Sequence, residues 1–400
     1  MTWTSARLKN VCVDAGQYGL NVSANDYAAS GYRLIRITDI DEAGSLRSRD
    51  NAVFVDIQLE GRYQLEVGDL LLARSGATIG RSTLVGELEE PSTFAGYLVR
   101  FRPLMTTDPR FLAYVAASHE FQDAIKSDAV TSTIQNFNAE RYANISIVVP
   151  PLDEQRRIAD FLDAETARID ALLDARRSQL ELFVQRRFAL TRHVLQNGAS
   201  GTSLQETGIA WLPRCPAGWK LKKLGYVTQC LDGARIPLSA EERATRQGEF
   251  PYYGASTIVD YVDDYLFDEE LVLLGEDGAQ LGNPNYEISS VVRGRIWVNN
   301  HAHVLRTRGI SAPLLAAILN VFDRELCMSG STREKITQEA MNALIIPVPP
   351  AVEQSTIERM LTERRTAQDR VVRAIQQQIE ILAERRQALI TAAVTGEITV

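Results

Sequence analysis

The sequence has few cysteines, few lysines and no long apolar run. Its four cysteines lie far apart without a Cys-x-x-Cys pair, which argues against a disulfide framework or a cysteine zinc site and fits a reducing cytosol. No apolar run reaches the ~18 residues that a membrane-spanning helix needs. The opening residues MTWTSARLKNVCVDAG lack the apolar segment of a secretory signal. We therefore expect a cytoplasmic protein with no membrane partner.

Motifs of several common catalysts are also missing. A phosphate-binding loop needs Gly-x4-Gly-Lys-Ser/Thr, and the nearest stretch, from Ser75 to Ser82, lacks the first glycine and the lysine. None of the six lysines has Asp or Glu two residues before it, which excludes a common metal-dependent nuclease fold. The segment from Asn283 to Tyr286 resembles a base-methyltransferase loop only in outline, and a turn is favoured. We predict no catalytic residue.

A metal site has little support. His301 and His303 are two residues apart in an extended stretch, so both would share one strand face and could chelate a metal. No third ligand is indicated, and structural packing is favoured. We predict no metal site.

Composition and charge narrow the class further. A chain of 400 residues with 45% hydrophobic and 24% charged residues is globular and too long for one ordinary domain. Its formal net charge of −8 argues against a simple basic nucleic-acid binder. Arginine supplies 37 of the 43 basic residues, however, and arginine suits carboxylates, phosphates and guanine edges.

An internal repeat organises the whole chain. The segment that starts at Thr131 recurs at Gly330 with a constant offset of 199 residues, which matches Pro150-Pro151 with Pro349-Pro350 and continues to Arg385-Arg386. Trp3 and Trp219 open the two halves, and GATIG at Gly76 corresponds to GAQLG at Gly278. The chain is a tandem of two similar units. We place the boundaries at 1–149, 150–198, 199–349 and 350–400.

Each unit ends in a predicted long helix. Apolar residues recur at spacings of mostly three and four from Ile158 to Val194, with Asp153 as the expected N-cap and Asn197-Gly198 as the stop. The span is roughly 65 Å at ~1.5 Å per residue. The second copy runs from Ile357 to Ala393 and stops at Gly396. Because the apolar seam runs the length of both copies, we predict antiparallel coiled-coil pairing, with packing on separate domains as the alternative.

The segments before the helices mix strand and helix periods. Strand patterns include YRLIRITDI, GDLLLARS and YLVRFRP in the first unit and ELVLLGE, EISSVVRG and HVLRTR in the second. RFLAYVAASHEFQDAIKS and APLLAAILNVF have helical patterns. We predict an α+β fold with two similar domains.

Polar loops occur at matching places in both units. They comprise Arg74 to Thr78, Thr131 to Asn136, Glu276 to Gln280 and Ser331 to Lys335. Their Ser, Thr, Asn, Gln and Arg side chains are the kind that contact base edges and phosphates. Taken alone, this signal is weak because polar loops are ordinary.

The chain resembles the DNA-specificity subunit of Type I restriction–modification systems over essentially all 400 residues. Its most specific element is Pro-Pro-x-x-Glu-Gln at the start of a long helix, present at Pro150 and again at Pro349. The openings around Trp3 and Trp219, LIRITDI at Leu34 and GSTREKI at Gly330 also match the family.

The resemblance implies two target-recognition domains that each read half of a bipartite double-stranded DNA site, held apart by two antiparallel helices. The helices would also dock two modification subunits, which bind S-adenosylmethionine, and motor-nuclease restriction subunits would add ATP and magnesium. This chain itself would bind no cofactor. The expected DNA-binding residues are Arg74, Ser75, Thr78, Arg81, Thr133, Gln135, Asn136, Gln280, Ser331, Thr332, Arg333 and Lys335. The expected docking residues are Glu154, Gln155, Arg186, Arg187, Glu353, Gln354, Arg385 and Arg386.

The second unit departs from the first in charge. Glu276-Asp277 and the acids from Asp263 to Glu270 stand where the first unit has Arg74-Ser75 or few charges. Carboxylates can accept from cytosine but repel phosphates. We therefore expect local arginine patches and clamping of DNA by partner subunits. The alternatives are a coiled-coil scaffold that assembles proteins without reading DNA and, third, an intrinsic methyltransferase.

Overall fold

The computed structural model describes residues 3–41, 44–47, 51–130, 136–199, 203–278, 281–329 and 335–400. The chain divides into two compact units, and both points of division lie within the long helices. One comprises 1–176 and 377–400, and the other comprises 177–376. Each unit holds one α+β domain with parts of both long helices, which confirms the predicted fold class. No helix among the described residues is long and apolar enough to cross a membrane.

The first domain contains nine strands and three helices among its described residues. They are β1 (Thr4–Arg7), β2 (Gln17–Tyr18), β3 (Tyr32–Ile35), β4 (Val53–Val55), β5 (Leu70–Ala73), β6 (Ser82–Leu84), β7 (Ser92–Phe94), β8 (Leu98–Phe101), α1 (Pro109–Ala117), α2 (His119–Val130), α3 (Ala139–Ala143) and β9 (Ser146–Val149). The strands form sheets in the orders β2-β8-β5-β6, β4-β3-β7 and β1-β9.

The first long helix, α4 (Leu152–Asn197), leads into the second domain. That domain contains β10 (Leu204–Ile209), β11 (Leu212–Pro216), β12 (Lys220–Lys223), α5 (Leu224–Val227), β13 (Thr228–Cys230), α6 (Ala240–Thr245), β14 (Gln247–Tyr253), β15 (Ile258–Val262), β16 (Phe267–Asp268), β17 (Leu271–Gly275), β18 (Ser289–Val292), β19 (Arg295–Val298), β20 (Ala302–Thr307), α7 (Ala312–Val321), β21 (Met328–Ser329), β22 (Lys335–Ile336), α8 (Gln338–Ala343) and β23 (Ile345–Val348). The chain then enters α9 (Ala351–Thr395).

The two domains repeat one sheet plan. The order β13-β20-β17-β18 repeats β2-β8-β5-β6, and β12-β23 repeats β1-β9. β15-β14-β19 repeats β4-β3-β7, including one parallel pair in each, β3 with β7 and β14 with β19. The buried strands β5 (LLLA) and β17 (LVLLG) are apolar on both faces because each sheet is covered on both sides.

Both long helices exist, and their ends follow local chemistry. Gly198 and Gly396 follow the last helical residues with positive φ values of 68° and 83°, as predicted for C-terminal stops. The predicted N-cap is wrong, because α4 begins at Leu152 and the Pro151 carbonyl accepts from the amide of Gln155 at 3.0 Å. Asp153 therefore lies in the first turn, where its charge favours the positive end of the helix dipole.

The helices pack antiparallel within each unit. In the first unit the Asp170 carboxylate accepts from Nε and Nη2 of Arg386 at 2.8 and 3.1 Å. In the second, Arg187 binds Asp369, which is the same pair at the equivalent positions of the repeat. Leu172 and Val371, assigned to the apolar seam from the sequence, lie outside it with 50% and 38% of their surface exposed.

The predicted helix from 110 to 127 is two helices. α1 begins after Asp108, whose carboxylate caps the amides of Arg110 and Phe111, and it ends before Ser118. The Ser118 hydroxyl donates to the Val115 carbonyl at 2.7 Å and accepts from the Phe121 amide at 3.4 Å. A serine that can satisfy both backbone groups lets the chain change direction between α1 and α2.

Candidate nucleic-acid interface

The loop after β5 carries four of the predicted DNA-binding residues, and its ends are held by one buried tyrosine. The Tyr142 hydroxyl donates to the Ala73 carbonyl at 2.6 Å and accepts from the Gly80 amide at 3.0 Å. Burial raises the pKa of Tyr142 well above its ordinary value, so the hydroxyl stays protonated and keeps both bonds. Gly76 and Gly80 have positive φ values of 66° and 86°, which lets the chain turn tightly between them. The result is a short, anchored loop.

Arg74 is placed for contact with a ligand. Its guanidinium lies over the Tyr18 ring at 4.8 Å, and Tyr97, whose carbonyl accepts from the Arg74 amide, is 63% exposed. Among the described residues, no acceptor lies within hydrogen-bond distance of the Arg74 Nε atom. The Nε atom itself is buried, whereas the stacking on Tyr18 fixes the plane of the guanidinium, a group that suits phosphates and guanine edges.

The fold brings a second predicted segment to this loop. The Phe137 amide donates to the Arg74 carbonyl at 2.8 Å, and Asn136 forms an isolated β-bridge with Ser75. The Asn136 Oδ1 atom has no donor among the described groups. Arg74 and Ser75 therefore lie with Asn136, which is remote from them in sequence, on one edge of the domain.

Thr78 and Arg81 face inward. The Thr78 hydroxyl donates to the Ser75 carbonyl at 3.0 Å, which braces the turn. The Arg81 Nη1 atom donates to the Ile40 carbonyl at 3.1 Å, so Arg81 ties the loop to its own domain. The remaining candidates of the four loops, apart from Lys335, lie outside the described residues, namely Thr133, Gln135, Gln280, Ser331, Thr332 and Arg333.

The corresponding loop of the second domain has the same backbone frame and the opposite charge. The Ile336 amide donates to the Glu276 carbonyl at 2.9 Å, which repeats the bond between Phe137 and Arg74. The Glu276 carboxylate accepts from Arg235 at 2.9 Å and also binds the Lys335 ammonium. Burial alone would raise the pKa of Glu276, but hydrogen bonds from Lys335 and Arg235 hold it below the usual value. Lys335, predicted as a DNA contact, is thus paired within its own domain.

The acidic stretch from Asp263 to Glu270 is neutralised in the same way. Its carboxylates pair with arginines of neighbouring elements: Asp263 and Asp264 with Arg246, Asp268 with Arg295, Glu269 with Arg306, and Glu270 with Arg293. These acids are a layer of ion pairs. Their side chains are also 34% to 63% exposed, so each pair lies at the surface of the domain.

Three arginines of the second domain stack on aromatic rings, and none of them was predicted from the sequence as a candidate site residue. Arg243, Arg246 and Arg295 lie over the rings of Tyr252, Trp297 and Tyr265 at 5.2, 4.8 and 4.9 Å. Each also binds a carboxylate, which fixes its orientation. The alternation of aromatic and charged residues in β14 and β15 was the available signal, but it does not show which arginine meets which ring.

His301, in the turn before β20, and His303, within β20, do not share a ligand. The His301 Nδ1 atom lies 2.9 Å from Asp277, whereas His303, 2% exposed, lies 2.6 Å from Asp232 through Nδ1 and 2.9 Å from the Ile336 carbonyl through Nε2. The Ile336 carbonyl accepts only, and so does an ionised Asp232. His303 is thus held on both ring nitrogens by groups of its own domain.

Among the described residues, Cys230, Asp232 and His303 bring three possible metal-binding atoms within 4.8 Å of one another. Both His303 nitrogens are already hydrogen-bonded, and the Arg235 guanidinium lies 3.4 Å from Asp232. Burial raises the pKa of the Cys230 thiol to about 12, which disfavours the thiolate that binds metals. The arrangement fits an internal hydrogen-bond network better than a metal centre.

The repeated Glu-Gln pair joins each helix to its domain. Gln155, 1% exposed, accepts from the Asp108 amide at 2.8 Å and donates to the Pro150 carbonyl at 2.8 Å. Gln354 repeats this with the Ser311 amide at 3.0 Å and the Pro349 carbonyl at 3.1 Å. Both side-chain amides, expected at a docking surface, are used within the chain.

The other docking candidates divide into internal and exposed side chains. Glu353 accepts from the Trp219 indole at 2.9 Å, and Arg187 and Arg386 hold the helix pair. Glu154 is half-buried. Arg186 and Arg385 lie at equivalent positions of the repeat, are exposed, and are the best placed of these residues to meet a partner.

The model for the Type I restriction modification DNA specificity domain matches residues 2–182 and 216–381 of the chain. The chain belongs to this family. The two matched segments correspond to the two halves of the repeat, so this Type I DNA specificity chain contains two similar units in tandem.

Relatives of this specificity chain match parts of it. A putative type I restriction enzyme specificity subunit of Haemophilus influenzae is 34% identical over 141 residues, 35% of this chain and 36% of the relative. The EcoKI specificity subunit of Escherichia coli is 26% identical over 223 residues, 54% of this chain and 45% of the relative. The aligned parts thus span less than half of each relative. A solved chain from work on complex assembly and conformational transition of the type I R-M system superposes with a TM-score of 0.69 at 19% identity, covering 99% of this chain and 98% of that one, and shares the fold.

Proposed function

We propose that this chain is the non-catalytic specificity subunit of a Type I restriction–modification complex and recognises a bipartite sequence in double-stranded DNA. Residues 1–149 and 199–349 act as the two target-recognition domains, and the helical segments 150–198 and 350–400 set the gap between the half-sites. Two modification subunits carry S-adenosylmethionine, and restriction subunits carry ATP and magnesium. Membership of the DNA specificity family supports this proposal most directly.

The first domain reads its half-site through the loop of Arg74 and Ser75 together with Asn136. The support is the stacking of Arg74 on Tyr18 and the β-bridge that brings Asn136 beside Ser75. A bidentate arginine contact to guanine is the commonest specific contact in the major groove. Serine and asparagine side chains also contact base edges.

The second domain reaches DNA in a different way. Glu276 occupies the backbone position that Arg74 has in the first domain. Because Glu276 binds Lys335, this position carries a neutral ion pair in the second domain instead of an arginine. Ion pairing leaves the net charge of −8 unchanged, but it places an arginine beside acids such as Asp263 and Glu269. Ion-paired acids repel phosphates less than isolated acids do, and partner subunits would supply the remaining attraction.

The helices carry a repeated docking surface for two copies of one partner. Leu172 and Val371 are exposed at equivalent positions of the repeat, and so are Leu182 and Ile381, which are 63% and 54% exposed. Arg186 and Arg385 are likewise equivalent and exposed. Exposed apolar residues on a helix that recur with the repeat favour two equivalent partners, here the modification subunits.

A methylation map tests this function. The chain is co-expressed with the modification subunit of its own operon in a host without DNA methylation, and native DNA is sequenced for methyladenine. We expect a gapped, two-part motif that disappears without this chain. Methylation with no sequence preference by an assembled complex would instead favour the assembly scaffold. S-adenosylmethionine binding by the purified chain would favour the intrinsic methyltransferase.

One substitution sharpens the test. Arg74→Ala removes a contact worth about 1–3 kcal/mol of discrimination between bases. We expect it to relax one half of the motif and leave the other half and the gap unchanged. Arg168→Ala, on the exposed side of α4, is the matched control and leaves both halves unchanged. Relaxation of both halves by Arg74→Ala would contradict the assignment of one domain to one half-site.

A further inference from the structure

The second unit contains a cavity of about 330 Å³ enclosed by α4, α7, α9 and β18. Its apolar wall includes Phe188, Leu361, Pro313 and Ala317. None of the DNA-binding or docking roles proposed above uses this cavity, although the Arg187 side chain forms part of its rim. All of its lining residues belong to the second unit.

The cavity lies where a tyrosine of the first unit is replaced by an alanine in the second. α1 and α7 are equivalent, since the amide before each helix, from Asp108 or Ser311, donates to Gln155 or Gln354. When Asp108 is aligned with Ser311, Tyr114 of α1 aligns with Ala317 of α7. In the same way the repeat pairs two residues of α4 with two of α9, namely Asp163 with Thr362 and Thr166 with Arg365.

In the first unit a tyrosine side chain occupies the corresponding place. The Tyr114 hydroxyl donates to Asp163 Oδ1 at 2.7 Å and lies 3.3 Å from Thr166 Oγ1. Arg110, which corresponds to Pro313, fills the neighbouring space and binds Asp163 at 2.7 Å. The second unit keeps the helices of this arrangement but omits the phenol ring from between them.

Two polar residues line the cavity at the place where the tyrosine hydroxyl lies in the first unit. They are Thr362 and Arg365, the counterparts of Asp163 and Thr166. The Arg365 guanidinium also donates to Glu287 at 2.7 Å, and Glu287 lies on the same wall. A hydroxyl and a guanidinium can both donate to the oxygen of a guest.

We propose that this cavity binds a phenol group, with the ring against Phe188, Leu361 and Ala317 and the oxygen at Thr362 and Arg365. The ring takes the place that Tyr114 holds in the first unit. The donors on the wall favour a guest oxygen that accepts hydrogen bonds. The phenol comes either from a free small molecule or from a tyrosine side chain of a subunit bound to the complex.

Titration of the full-length chain with p-cresol, followed by isothermal calorimetry and ligand-observed NMR, tests the site. We expect one p-cresol per chain with a Kd of about 1 mM or tighter, which suits a ligand of its size. Ala317→Tyr should fill the cavity and weaken binding at least tenfold, with folding checked by circular dichroism. Thr362→Ala keeps the cavity open, and we expect about threefold to tenfold weaker binding from the lost hydrogen bond.

The first unit supplies reciprocal variants. Tyr114→Ala opens the equivalent space and should raise the stoichiometry from one p-cresol to two, because Asp163 and Thr166 remain in place to bind the phenol hydroxyl. Tyr114→Phe keeps the ring in place and should leave the stoichiometry at one. A stoichiometry of one for Tyr114→Ala would contradict the equivalence of Tyr114 and Ala317.

The source of the phenol is distinguished with the assembled complex. Unchanged p-cresol binding after the modification subunits join indicates a free small-molecule ligand. Loss of binding on assembly, with weaker assembly of the Ala317→Tyr variant, indicates a tyrosine from the partner. No p-cresol binding by the free, folded wild-type chain at millimolar concentration overturns the proposal.

Discussion

At the scale of single residues, the two domains use one backbone position in opposite ways. Arg74 and Glu276 both accept an amide hydrogen bond from the segment that precedes the last short helix of the domain. Arg74 stacks on Tyr18, whereas Glu276 binds Arg235 and Lys335. The repeat thus keeps the same backbone hydrogen bond in both domains, while the side chain at this position changes from an arginine to an ion-paired glutamate.

The buried carboxylates of the second domain make its stability depend on acid pH. Burial raises the pKa of Asp232, but hydrogen bonds from His303 and the Val304 amide outweigh it, so the folded-state pKa lies below the ordinary value of 3.8. Glu276 is lowered likewise. A carboxylate with a depressed folded-state pKa stabilises the fold above its unfolded-state pKa and loses that contribution as pH falls through the folded-state value.

We therefore predict that the free energy of unfolding is steady above about pH 5 and falls steeply below about pH 4. Asp232→Asn should lower it by about 3–5 kcal/mol at pH 7, since His303 loses its buried partner, and should flatten the acid slope. Urea unfolding at a series of pH values measures both. Asp264→Asn, an exposed carboxylate 4.0 Å from Arg246, is the control and should change little. An unaltered acid slope in Asp232→Asn would count against this contact.

At the scale of elements, the junction of each long helix with its domain depends on one glutamine. Gln155 and Gln354 each satisfy a backbone amide and a backbone carbonyl that are otherwise buried. The Pro-Pro-x-x-Glu-Gln motif is therefore a structural joint as well as a family signature.

Replacement of either glutamine should destabilise its own unit. We predict that Gln155→Ala and Gln354→Ala each cost about 2 kcal/mol, because two buried backbone groups lose their partners. Chemical denaturation measures the loss. Arg156→Ala, on the exposed side of the same turn, should cost less than about 0.5 kcal/mol. Equal effects from Gln155→Ala and Arg156→Ala would refute the joint.

The helix ends offer a second test at this scale. Gly198→Ala should cost about 1–2 kcal/mol, because φ is 68° there and the new Cβ would lie 2.8 Å from Pro216 Cγ. Gly61→Ala is the matched control, with no atom within 4 Å and no positive φ. A thermal shift as small for Gly198→Ala as for Gly61→Ala would be inconsistent with a glycine-dependent stop.

At the scale of the whole molecule, α4 and α9 each contribute to both compact units. The pairs Asp170–Arg386 and Arg187–Asp369 are one interaction that occurs in both copies of the repeat. A tandem chain therefore repeats the same contact between its long helices in both units, which suits the proposed reading of a two-part DNA site.

The helix pair as a ruler is testable by insertion. Four extra residues after Arg176 and after Gln376 lengthen each helix by ~6 Å, about two base pairs at ~3.4 Å each. We predict that the gap in the methylated motif grows by about two base pairs while both half-sites stay unchanged. Methyladenine sequencing reads both. An unchanged gap in an active complex would refute the ruler.

Much of the architecture was predictable from the spacing of residues. The tandem repeat, the two long helices, their glycine stops and the strands around Leu34, Leu71 and Leu273 follow from that spacing, which is a local property of the chain. The helix break at Ser118 and the start at Leu152 were predicted wrongly, because boundaries depend on single hydrogen bonds that periodicity does not report.

The candidate site was only partly predictable. Arg74, Ser75 and Asn136 were found as polar loop residues, but their meeting depends on the bond between the Phe137 amide and the Arg74 carbonyl, which joins segments remote in sequence. The arginines paired with acids and stacked on aromatic rings, such as Arg246 on Trp297, gave no separate signal. Such partners are set by how strands align in a sheet.

Residue order alone was enough to establish a two-unit α+β chain with paired helices and to suggest its family, since repeats and periodicity are written along the sequence. The folded molecule decided which charges cancel, how the Arg74 guanidinium is held against Tyr18 and where a cavity opens beside Ala317. These features depend on distances between residues remote in sequence, and a change as small as Tyr114 to Ala317 becomes a space only when the surrounding helices are packed.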